Sequence, residues 1–399
     1  MTEIINAPEL RFPEFKDEWI EKAFGDFTKT NQRLQIAISN RETQYKEGYY
    51  FYITNEFLKP NNKIKYYIKN PPNSVIANKD DILMTRTGNT GKVITGVHGA
   101  FHNNFFKIKF DNKQYDRLFI YELLKSSKIN NKILSLAGTS TIPDLNHSDF
   151  YSIKSFIPKY EEQQKLGIFF SKLDRQIELE EEKLELLEQQ KRGYMQKIFS
   201  QDLRFKDENG NVYPKWVTQK IKELGNVYTG NTPSKKQSMY WNSNNYIWVT
   251  PTDINNKKDL KNSEYMLSDE GFKKARQLPK NTLLITCIAS IGKNAILREE
   301  GSCNQQINAL VPNSDKNVDF LYYAFEKVSK YMKRIAGKTA TQIVNKSTFE
   351  NISIEVPNFE EQLKVGRFLN SFDKLIEKQV SKIELLKQRK QGFLQKMFV

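Results

Sequence analysis

Apolar residues recur at alternating spacings of four and three in two stretches of the chain, the pattern of a coiled-coil seam. In the first stretch these positions are Leu166, Phe170, Leu173, Ile177, Glu180, Leu184, Leu187, Lys191, Tyr194 and Ile198. In the second they are Val365, Leu369, Phe372, Ile376, Gln379, Ile383, Leu386, Lys390, Phe393 and Met397. Both stripes carry polar residues at two equivalent places, and such residues set helix register at a cost in stability. The pattern predicts two long helices that pair within one chain.

The two helical stretches are copies of one another. Residues 158–199 align with 357–398 at a constant offset of 199, and roughly half of the 42 aligned positions are identical. A period of this length indicates two domain-sized halves, whereas solenoids repeat every 20 to 50 residues. The intervening segments, about 1–157 and 201–356, share only islands such as Leu10-Arg11-Phe12 and Leu203-Arg204-Phe205. A repeated helical frame with diverged inserts separates assembly from recognition.

The inserts predict mixed α and β structure. In the second insert, β-rich runs bounded by Gly, Pro and Asn occupy 246–251, 282–288 and 307–312, and a helix follows near 318–333. The first insert has matching runs at 48–54, 81–86 and 105–110, then a helix near 115–128. The expected fold is therefore mixed α/β, with two globular inserts of one fold. The simplest closed arrangement places the long helices side by side and antiparallel, related by a pseudo-twofold axis.

Composition narrows the class of partner. The 399 residues suffice for two or three domains, and the net charge of +15 with a pI near 9.4 makes a polyanion the first partner to consider. An unremarkable basic surface is the alternative. No apolar run is long enough for a membrane span and the amino terminus lacks signal-peptide features, so a cytoplasmic protein is expected. Cys287 and Cys303 are the only cysteines and are expected to fill core positions.

The sequence contains only weak matches to catalytic, phosphate-binding and metal-binding motifs. Asn70-Pro71-Pro72-Asn73 is similar to the Asn-Pro-Pro-aromatic site of adenine methyltransferases, but an Asn replaces the aromatic residue, so a rigid turn explains it better. The Gly-Lys pairs at 91–92 and 292–293 lack the remaining residues of a phosphate-binding loop. His98 and His102 have no Cys or acidic pair beside them to complete a zinc site. The sequence therefore predicts neither catalytic residues nor a metal site.

A series of motifs in the second insert follows a familiar order. It runs Gly230-Asn231-Thr232-Pro233-Ser234, Tyr240-Trp241, the segment 247–254, Leu278-Pro279-Lys280-Asn281, Ala289-Ser290-Ile291-Gly292-Lys293, Asn304-Gln305-Gln306 and the Glu360-Glu361-Gln362 helix start. This series resembles the target-recognition domains of the specificity subunits of type I restriction-modification systems, and the resemblance covers nearly the whole chain. On it we expect recognition domains at 1–157 and 201–356, with helices at 158–200 and 357–399.

The first insert keeps only the later part of this series. Residues 83–92 match the strand and loop around Gly292 and Lys293, and 137–140 match 336–339. Its opening, Thr28-Lys29-Thr30-Asn31-Gln32-Arg33, departs from the Gly-Asn-Thr-Pro pattern, and no Trp pair follows. This early loop could belong to a different recognition subtype.

The resemblance implies a reader of double-stranded DNA without chemistry of its own. Each insert would read one half of a split sequence, while the helices set the unread spacer and hold two methyltransferase subunits, to which restriction and translocation subunits are added. S-adenosylmethionine, ATP and Mg²⁺ are then expected on the partner subunits, with no cofactor on this chain. Two other interpretations stay open: a coiled-coil scaffold without DNA specificity, and a self-contained adenine methyltransferase.

Candidate DNA-contacting residues lie on the polar loops of both inserts. Arg86, with Asn89 and Thr90 on a Gly-flanked loop, offers groups that pair with guanine and adenine edges, whereas loop lysines suit phosphates. The candidates in the first insert are Lys29, Asn31, Arg33, Arg86, Thr87, Asn89, Thr90, Lys92, Thr139 and Ser140. Those in the second are Thr232, Ser234, Lys235, Lys236, Thr252, Ser290, Lys293, Lys338 and Thr339. For any one of them, a simple turn residue is the alternative.

Overall fold

The computed structural model divides the chain into two compact units. Unit 1 comprises Met1–Glu182 with Val380–Val399, and unit 2 comprises Lys183–Gln379. The structure describes residues 6–31, 34–59, 62, 64–138, 142–241, 243–255, 257–288, 290–336 and 343–399. Each unit therefore takes parts of both long helices, whereas the sequence-based division gave each helix a segment of its own.

The first insert contains ten strands and four short helices in the described residues. The strands are β1 (Ile20–Ala23), β2 (Lys29–Asn31), β3 (Tyr49–Ile53), β4 (Tyr66–Lys69), β5 (Ile76–Ala77), β6 (Ile82–Thr85), β7 (Val93–Ile94), β8 (Gly99–Phe101), β9 (Phe105–Lys109) and β10 (Lys154–Ile157). The helices are α1 (Phe24–Phe27), α2 (Arg117–Lys125), α3 (Ser127–Ala137) and α4 (His147–Ser152). Two four-stranded sheets have the orders β2-β9-β6-β7 and β4-β3-β8-β5, and β1 pairs antiparallel with β10.

The second insert follows the long helix α5 (Tyr160–Phe199) and precedes the long helix α10 (Phe359–Lys396). Its described strands are β11 (Val217–Lys220), β12 (Gly225–Thr229), β13 (Tyr246–Val249), β14 (Asp259–Leu260), β15 (Tyr265–Leu267), β16 (Thr282–Thr286), β17 (Asn294–Leu297), β18 (Gly301–Cys303), β19 (Ile307–Pro312) and β20 (Ser353–Val356). Its helices are α6 (Ile221–Leu224), α7 (Asp269–Lys274), α8 (Val318–Ala336) and α9 (Lys346–Glu350). The sheet orders are β12-β19-β16-β17-β14 and β15-β13-β18, and β11 pairs with β20.

These elements confirm the predicted mixed α and β fold. The runs predicted at 105–110 and 307–312 correspond to β9 and β19, and the run at 282–288 to β16. The helix predicted near 115–128 is instead two helices. Ser126 separates α2 from α3, because its backbone is extended and its side chain caps the second helix by accepting from the Ile129 amide.

A buried carboxylate fastens α5 to the first insert. Glu162 accepts hydrogen bonds from the Arg11 guanidinium at 2.7 and 2.8 Å and from Trp19 Nε1 at 3.2 Å. Arg11 also donates to the carbonyl of Asp17. These hydrogen bonds join the amino-terminal segment, the insert and the first turn of the helix.

Unit 2 repeats the node at the start of α10. Glu361 is fully buried and accepts from Arg204 Nη2 at 2.5 Å and from Trp216 Nε1 at 3.1 Å, and Arg204 also donates to the Pro214 carbonyl. The island of sequence shared around Arg11 and Arg204 is explained by this common role in attaching a helix.

The long helices run antiparallel within each unit. In unit 1, Phe393 of α10 packs against Phe169 of α5 with ring centroids 5.2 Å apart, and Lys382 pairs with Glu180 further along. In unit 2, Tyr194 of α5 packs against Phe368 of α10 at 5.1 Å. Contacting positions rise along one helix as they fall along the other, which confirms the predicted antiparallel pairing.

Candidate nucleic-acid interface

The loop between β16 and β17 in unit 2 is held by hydrogen bonds from Thr286 and Gly292 and exposes two polar side chains. The Thr286 hydroxyl donates to the Ser290 carbonyl at 2.5 Å and accepts from the Lys293 amide at 3.0 Å. Gly292 donates from its amide to the Thr286 carbonyl and has a φ of +82°, in the left-handed region that favours glycine. Ser290 and Lys293 are exposed. The loop thus fixes its main chain and leaves two polar side chains for an external partner.

The loop between β6 and β7 in unit 1 has the same hydrogen bonds. The Thr85 hydroxyl donates to the Asn89 carbonyl at 2.5 Å and accepts from the Lys92 amide at 2.9 Å, and Gly91 has a φ of +85°. This confirms the equivalence predicted from the sequence. We call the two loops, 86–92 and 287–293, the hairpin loops of unit 1 and unit 2.

Five candidate residues of unit 2 line one concave surface, which encloses a volume of about 720 Å³. They are Thr232, Lys235, Thr252, Ser290 and Lys293. Because these residues come from three separate loops, the sequence alone did not bring them together. Each is exposed, so the surface presents hydroxyl and ammonium groups of the kinds that bind phosphates and base edges.

An aromatic wall supports this surface. Trp248 and Tyr265 line it, and Lys235 places its Nζ 5.2 Å from the centre of the Tyr265 ring. Trp241 packs edge-on against Trp248 at 4.9 Å, and Trp248 Nε1 donates to the Asn231 carbonyl at 3.0 Å. The aromatic residues were not among the candidates, although Tyr240-Trp241 and Trp248 stand within the series of motifs in the sequence.

Two further candidates of unit 2 lie beside this surface without lining it. Ser234 and Lys236 are exposed, and the Ser234 carbonyl accepts from Trp241 Nε1 at 3.2 Å. Ser234 therefore helps to position the loop through its backbone, while its hydroxyl and the Lys236 ammonium face solvent.

The candidates on the hairpin loop of unit 1 have different roles. Asn89 is exposed, and Lys92 donates from Nζ to the Leu58 carbonyl at 3.1 Å. Thr90 donates to the carbonyls of Arg86 and Pro143, at 3.1 and 2.9 Å, so its hydroxyl ties the loop to the segment after α3.

The early candidates of unit 1 lie on β2, an edge strand. Lys29 is exposed, and Asn31 donates from Nδ2 to the Ser74 carbonyl at 3.4 Å. Arg33, Thr139, Ser140, Lys338 and Thr339 lie outside the described residues.

Arg86 does not present the fork that the sequence suggested. Its Nη2 donates to both carboxylate oxygens of Asp144, at 2.9 and 2.7 Å, and the guanidinium carbon lies 5.5 Å from the centre of the Phe106 ring. Nε is buried and has no partner among the described atoms. A bidentate contact to guanine uses two donor nitrogens of one guanidinium, and here Nη2 is engaged by Asp144 and Nε is buried. Thr87, another candidate, donates to the same carboxylate.

The family comparison agrees with the doubled architecture. The type I restriction modification DNA specificity domain matches twice, at residues 16–189 and 213–387. The chain belongs to the type I restriction-modification specificity family. It carries two such domains in tandem, and each match extends from an insert into a long helix.

Curated relatives carry the same assignment. A specificity subunit of the type I restriction enzyme MjaVIII from Methanocaldococcus jannaschii is 26% identical over 95% of this chain and 92% of its own length. The MjaIX specificity subunit of that organism is 33% identical over 48% of this chain and 45% of its own length. The chain thus spans nearly all of one relative and about half of the other.

Solved structures of the family share the fold. A type I restriction-modification S subunit from M. genitalium superposes with a TM-score of 0.63 at 17% identity, covering 98% of this chain and 99% of that one. A chain from a structural study of complex assembly and conformational transition of the type I R-M system superposes at 0.57 and 16% identity, covering 95% and 97%.

In the specificity-family helices, all but one of the predicted seam residues are buried or half-buried. Ile177 and Ile383 are buried, and Tyr194 is 39% exposed although it contacts Phe368. The remaining predicted seam residues are half-buried: Leu173, Leu184, Leu187, Phe372, Ile376, Leu386 and Phe393. The heptad pattern therefore identified the inward faces of both helices.

Lys390 of the seam enters a buried ionic cluster in unit 1. Its Nζ donates to both oxygens of Asp174 at 2.6 Å and lies 2.9 Å from Glu122 Oε2, with Lys125 also beside Glu122. Burial raises the pKa of Glu122, and the two lysines offset only part of that rise. Burial also raises the pKa of Asp174, but Lys390 and Lys125 reverse this and hold it below its usual range.

The equivalent lysine of unit 2 has a different partner set. Lys191 pairs with Asp373, and the Tyr323 hydroxyl donates to the same carboxylate. Burial, followed by Asp373, raises the pKa of Tyr323. The heptads marked both lysines, whereas their acidic partners lie outside the heptad positions and escaped the sequence analysis.

The described residues include both cysteines of the chain. These described residues contain no group of three or more His, Cys, Asp or Glu arranged to hold a metal ion. Cys287 and Cys303 are buried, and burial raises the pKa of each thiol to about 12. Within the same residues no helix has the length and apolar character to cross a membrane.

Proposed function

We propose that this specificity-family chain reads a split, asymmetric double-stranded DNA sequence, with one half-site for each unit. The observation that carries the proposal is the pair of hairpin loops. They share one backbone hydrogen-bond pattern and an exposed lysine, Lys92 or Lys293, but differ at five of their seven positions, as expected of two readers built on one frame for two different sequences.

The charge and shape of unit 2 support this role. Its concave surface collects Lys235 and Lys293 with three hydroxyl-bearing side chains, and the whole chain has a net charge of +15. Lysines near phosphates release condensed counterions, which supplies affinity, while hydroxyl and amide groups discriminate base edges. The same arrangement explains why the five residues come from loops, which tolerate sequence change better than strands do.

We further propose that the helix pair holds two methyltransferase subunits, to which restriction and translocation subunits are added, in the cytoplasm. S-adenosylmethionine, ATP and Mg²⁺ would bind those partners, and this chain would contribute no catalytic group. The support is the antiparallel pair of helices, 40 and 38 residues long, each of which contributes residues to both units.

Exchange of one insert tests the reading role. Residues 11–150 are replaced by the corresponding segment of another specificity-family protein, and methylated adenines are mapped in a host that expresses the chimera with its methyltransferase subunit. We expect one half of the two-part motif to change and the other half to persist. Binding that is unaffected by the exchange would support a scaffold without DNA specificity.

Substitutions in the seam test the assembly role. Leu187→Glu and Leu386→Glu place charge at half-buried helix positions and should abolish co-purification of the methyltransferase subunits. Leu186→Glu, at an exposed neighbouring position, is the control. Intact assembly in both seam variants would refute this role, and binding of S-adenosylmethionine by the isolated chain would favour a self-contained methyltransferase.

A further inference from the structure

The ion pair on the hairpin loop of unit 1 presents a carboxylate to solvent. The side chain of Asp144 is 48% exposed, whereas that of Arg86 is 18% exposed and lies against Phe106. The accessible part of the pair is therefore mainly an acceptor.

Hydrogen bonds fix this carboxylate from several directions. Arg86 Nη2 reaches both of its oxygens, and the Thr87 hydroxyl donates to Oδ1. On the main chain, Thr90 donates to the Pro143 carbonyl at 2.9 Å, and the Leu145 amide donates to the Arg86 carbonyl at 2.9 Å. Asp144 is thus held in one position by both the loop and its own flanking residues.

The hairpin loop of unit 2 closes without these polar groups. The Val344 amide donates to the Cys287 carbonyl at 3.0 Å, as Leu145 does to Arg86, and Ile288 bridges Ile343 where Thr87 bridges Asp144. Because apolar residues complete the same frame, the Arg86, Thr87 and Asp144 set is not required for the fold of the loop.

From this we infer that Asp144 is a specificity-determining residue of unit 1, which accepts a hydrogen bond from an exocyclic amino group of cytosine or adenine in the major groove. Arg86 is then a positioning residue. An isolated carboxylate is repelled by phosphates, but the guanidinium neutralises this one and leaves lone pairs free for the N4 or N6 amino group. The inference rests on the proposed function and reverses the role that the sequence suggested for Arg86.

Selection of bound sequences from a pool of randomised DNA duplexes tests the role of Asp144. The full chain, Asp144→Asn, Arg86→Lys and the charge-matched control Asp80→Asn, whose carboxylate is 90% exposed, are each used to enrich sequences. We expect Asp144→Asn to relax one position of one half-site and Asp80→Asn to leave the motif unchanged. An unaltered motif in Asp144→Asn, or equal relaxation throughout both half-sites, overturns the inference.

Base analogues then identify the contacted atom. At the relaxed position, the cytosine or adenine is replaced by an analogue that lacks the exocyclic amino group. Wild-type affinity should fall by about 10- to 100-fold, and Asp144→Ala should show no additional loss. If instead 7-deazaguanine weakens the wild type and that effect disappears in Arg86→Lys, Arg86 is the reader and the inference is wrong.

The same experiment separates this inference from the proposed function. If the wild-type chain enriches no sequence at all, the proposed function fails and the inference falls with it. If the wild type enriches a two-part motif that Asp144→Asn retains in full, the reading role stands and only the assignment of Asp144 is rejected.

Discussion

The hairpin loops of the two units share their backbone hydrogen bonds but differ in the chemistry of several side chains. Thr85 and Thr286 make the same hydrogen bonds, yet the residue that follows is Arg86 in unit 1 and Cys287 in unit 2. The difference shows that the frame depends on a threonine hydroxyl, a glycine with positive φ and main-chain amides. Most of the remaining side chains differ between the two loops, although both loops end in an exposed lysine, Lys92 or Lys293.

The buried ends of the helix pair differ in a parallel way. Lys390 in unit 1 forms ion pairs with Asp174 and Glu122. Lys191 in unit 2 forms an ion pair with Asp373, which also accepts a hydrogen bond from a tyrosine hydroxyl. Unit 1 thus buries more charge at this place than unit 2 does. The two units share their geometry, but equivalent side chains should contribute different amounts to the stability of each unit.

Removing the two lysines should give the largest contrast. Lys390→Ala leaves Glu122, only 2% exposed, and Asp174 with Lys125 as their remaining cation, and should cost unit 1 about 3 kcal/mol, the low end of the range for breaking a buried pair. Lys191→Ala should cost unit 2 about 1 to 2 kcal/mol, because its partner is less buried and keeps the Tyr323 hydroxyl. Urea unfolding with hydrogen exchange resolved by unit measures both.

The control for this pair is Lys387→Ala. Lys387 is 52% exposed in its ion pair with Glu181, so its loss should cost less than about 1 kcal/mol. Equal destabilisation by Lys390→Ala and Lys191→Ala would show that Glu122 adds nothing to the contrast.

Replacing Gly91 or Gly292 with alanine should destabilise the protein less than removing Lys390 does. Of the two glycine substitutions, the one at Gly292 in unit 2 should have the larger effect. Both positions have positive φ, which costs a residue with a side chain about 1 to 2 kcal/mol. At Gly292 the new Cβ would also lie 2.4 Å from Ser329 Oγ and 3.0 Å from Ser329 Cα, whereas at Gly91 the nearest atom is Asn130 Oδ1 at 3.1 Å. Thermal unfolding of the two variants measures the difference.

Gly193→Ala is the matched control for the glycines. It lies in α5 with nothing within 4 Å of the added Cβ, so alanine should stabilise the helix by up to about 1 kcal/mol. If Gly91→Ala is as harmless as Gly193→Ala, the positive φ is not needed to form the loop.

The pH dependence should be the most modest effect, and it should be shared by both units. In unit 2, burial raises the pKa of Asp319, but Lys258 and Arg298 reverse this and hold the pKa below its usual range. A depressed pKa stabilises the fold above the unfolded value, near 4, and that contribution disappears as pH falls through the folded value. Asp319→Asn should therefore be destabilised relative to the wild type at pH 7, and the gap in stability should narrow as pH falls below the unfolded value, near 4. Asp174→Asn should behave likewise in unit 1, and a gap that persists at low pH would contradict the assignment.

Sequence periodicity was sufficient for the helices, and local motif similarity was sufficient for the equivalence of the hairpin loops. A heptad pattern depends on local spacing, and β16 with its following Gly-Lys pair is local as well. Arg86 shows the limit of this reasoning. Its residue type suggested a base contact, but Asp144 lies 58 positions away and only the folded chain brings the two together.

The concave surface of unit 2 shows the same limit from the other side. Thr232, Thr252 and Lys293 were each plausible alone, but their convergence depends on how three loops pack, which the sequence pattern does not encode. The attachment of α5 through Glu162 was missed for a related reason, since its partners Arg11 and Trp19 are more than 140 positions distant.

The core of unit 1 includes Leu394, in the last turn of α10, and Met397 and Phe398, which follow the helix. Unit 2, in contrast, is one continuous stretch of chain, Lys183–Gln379. During synthesis at roughly 5 to 20 residues per second, the first insert must therefore wait about 10 to 40 s for the residues that complete its core. Unit 2 is able to fold as it emerges from the ribosome, so the part made first is the last to be finished.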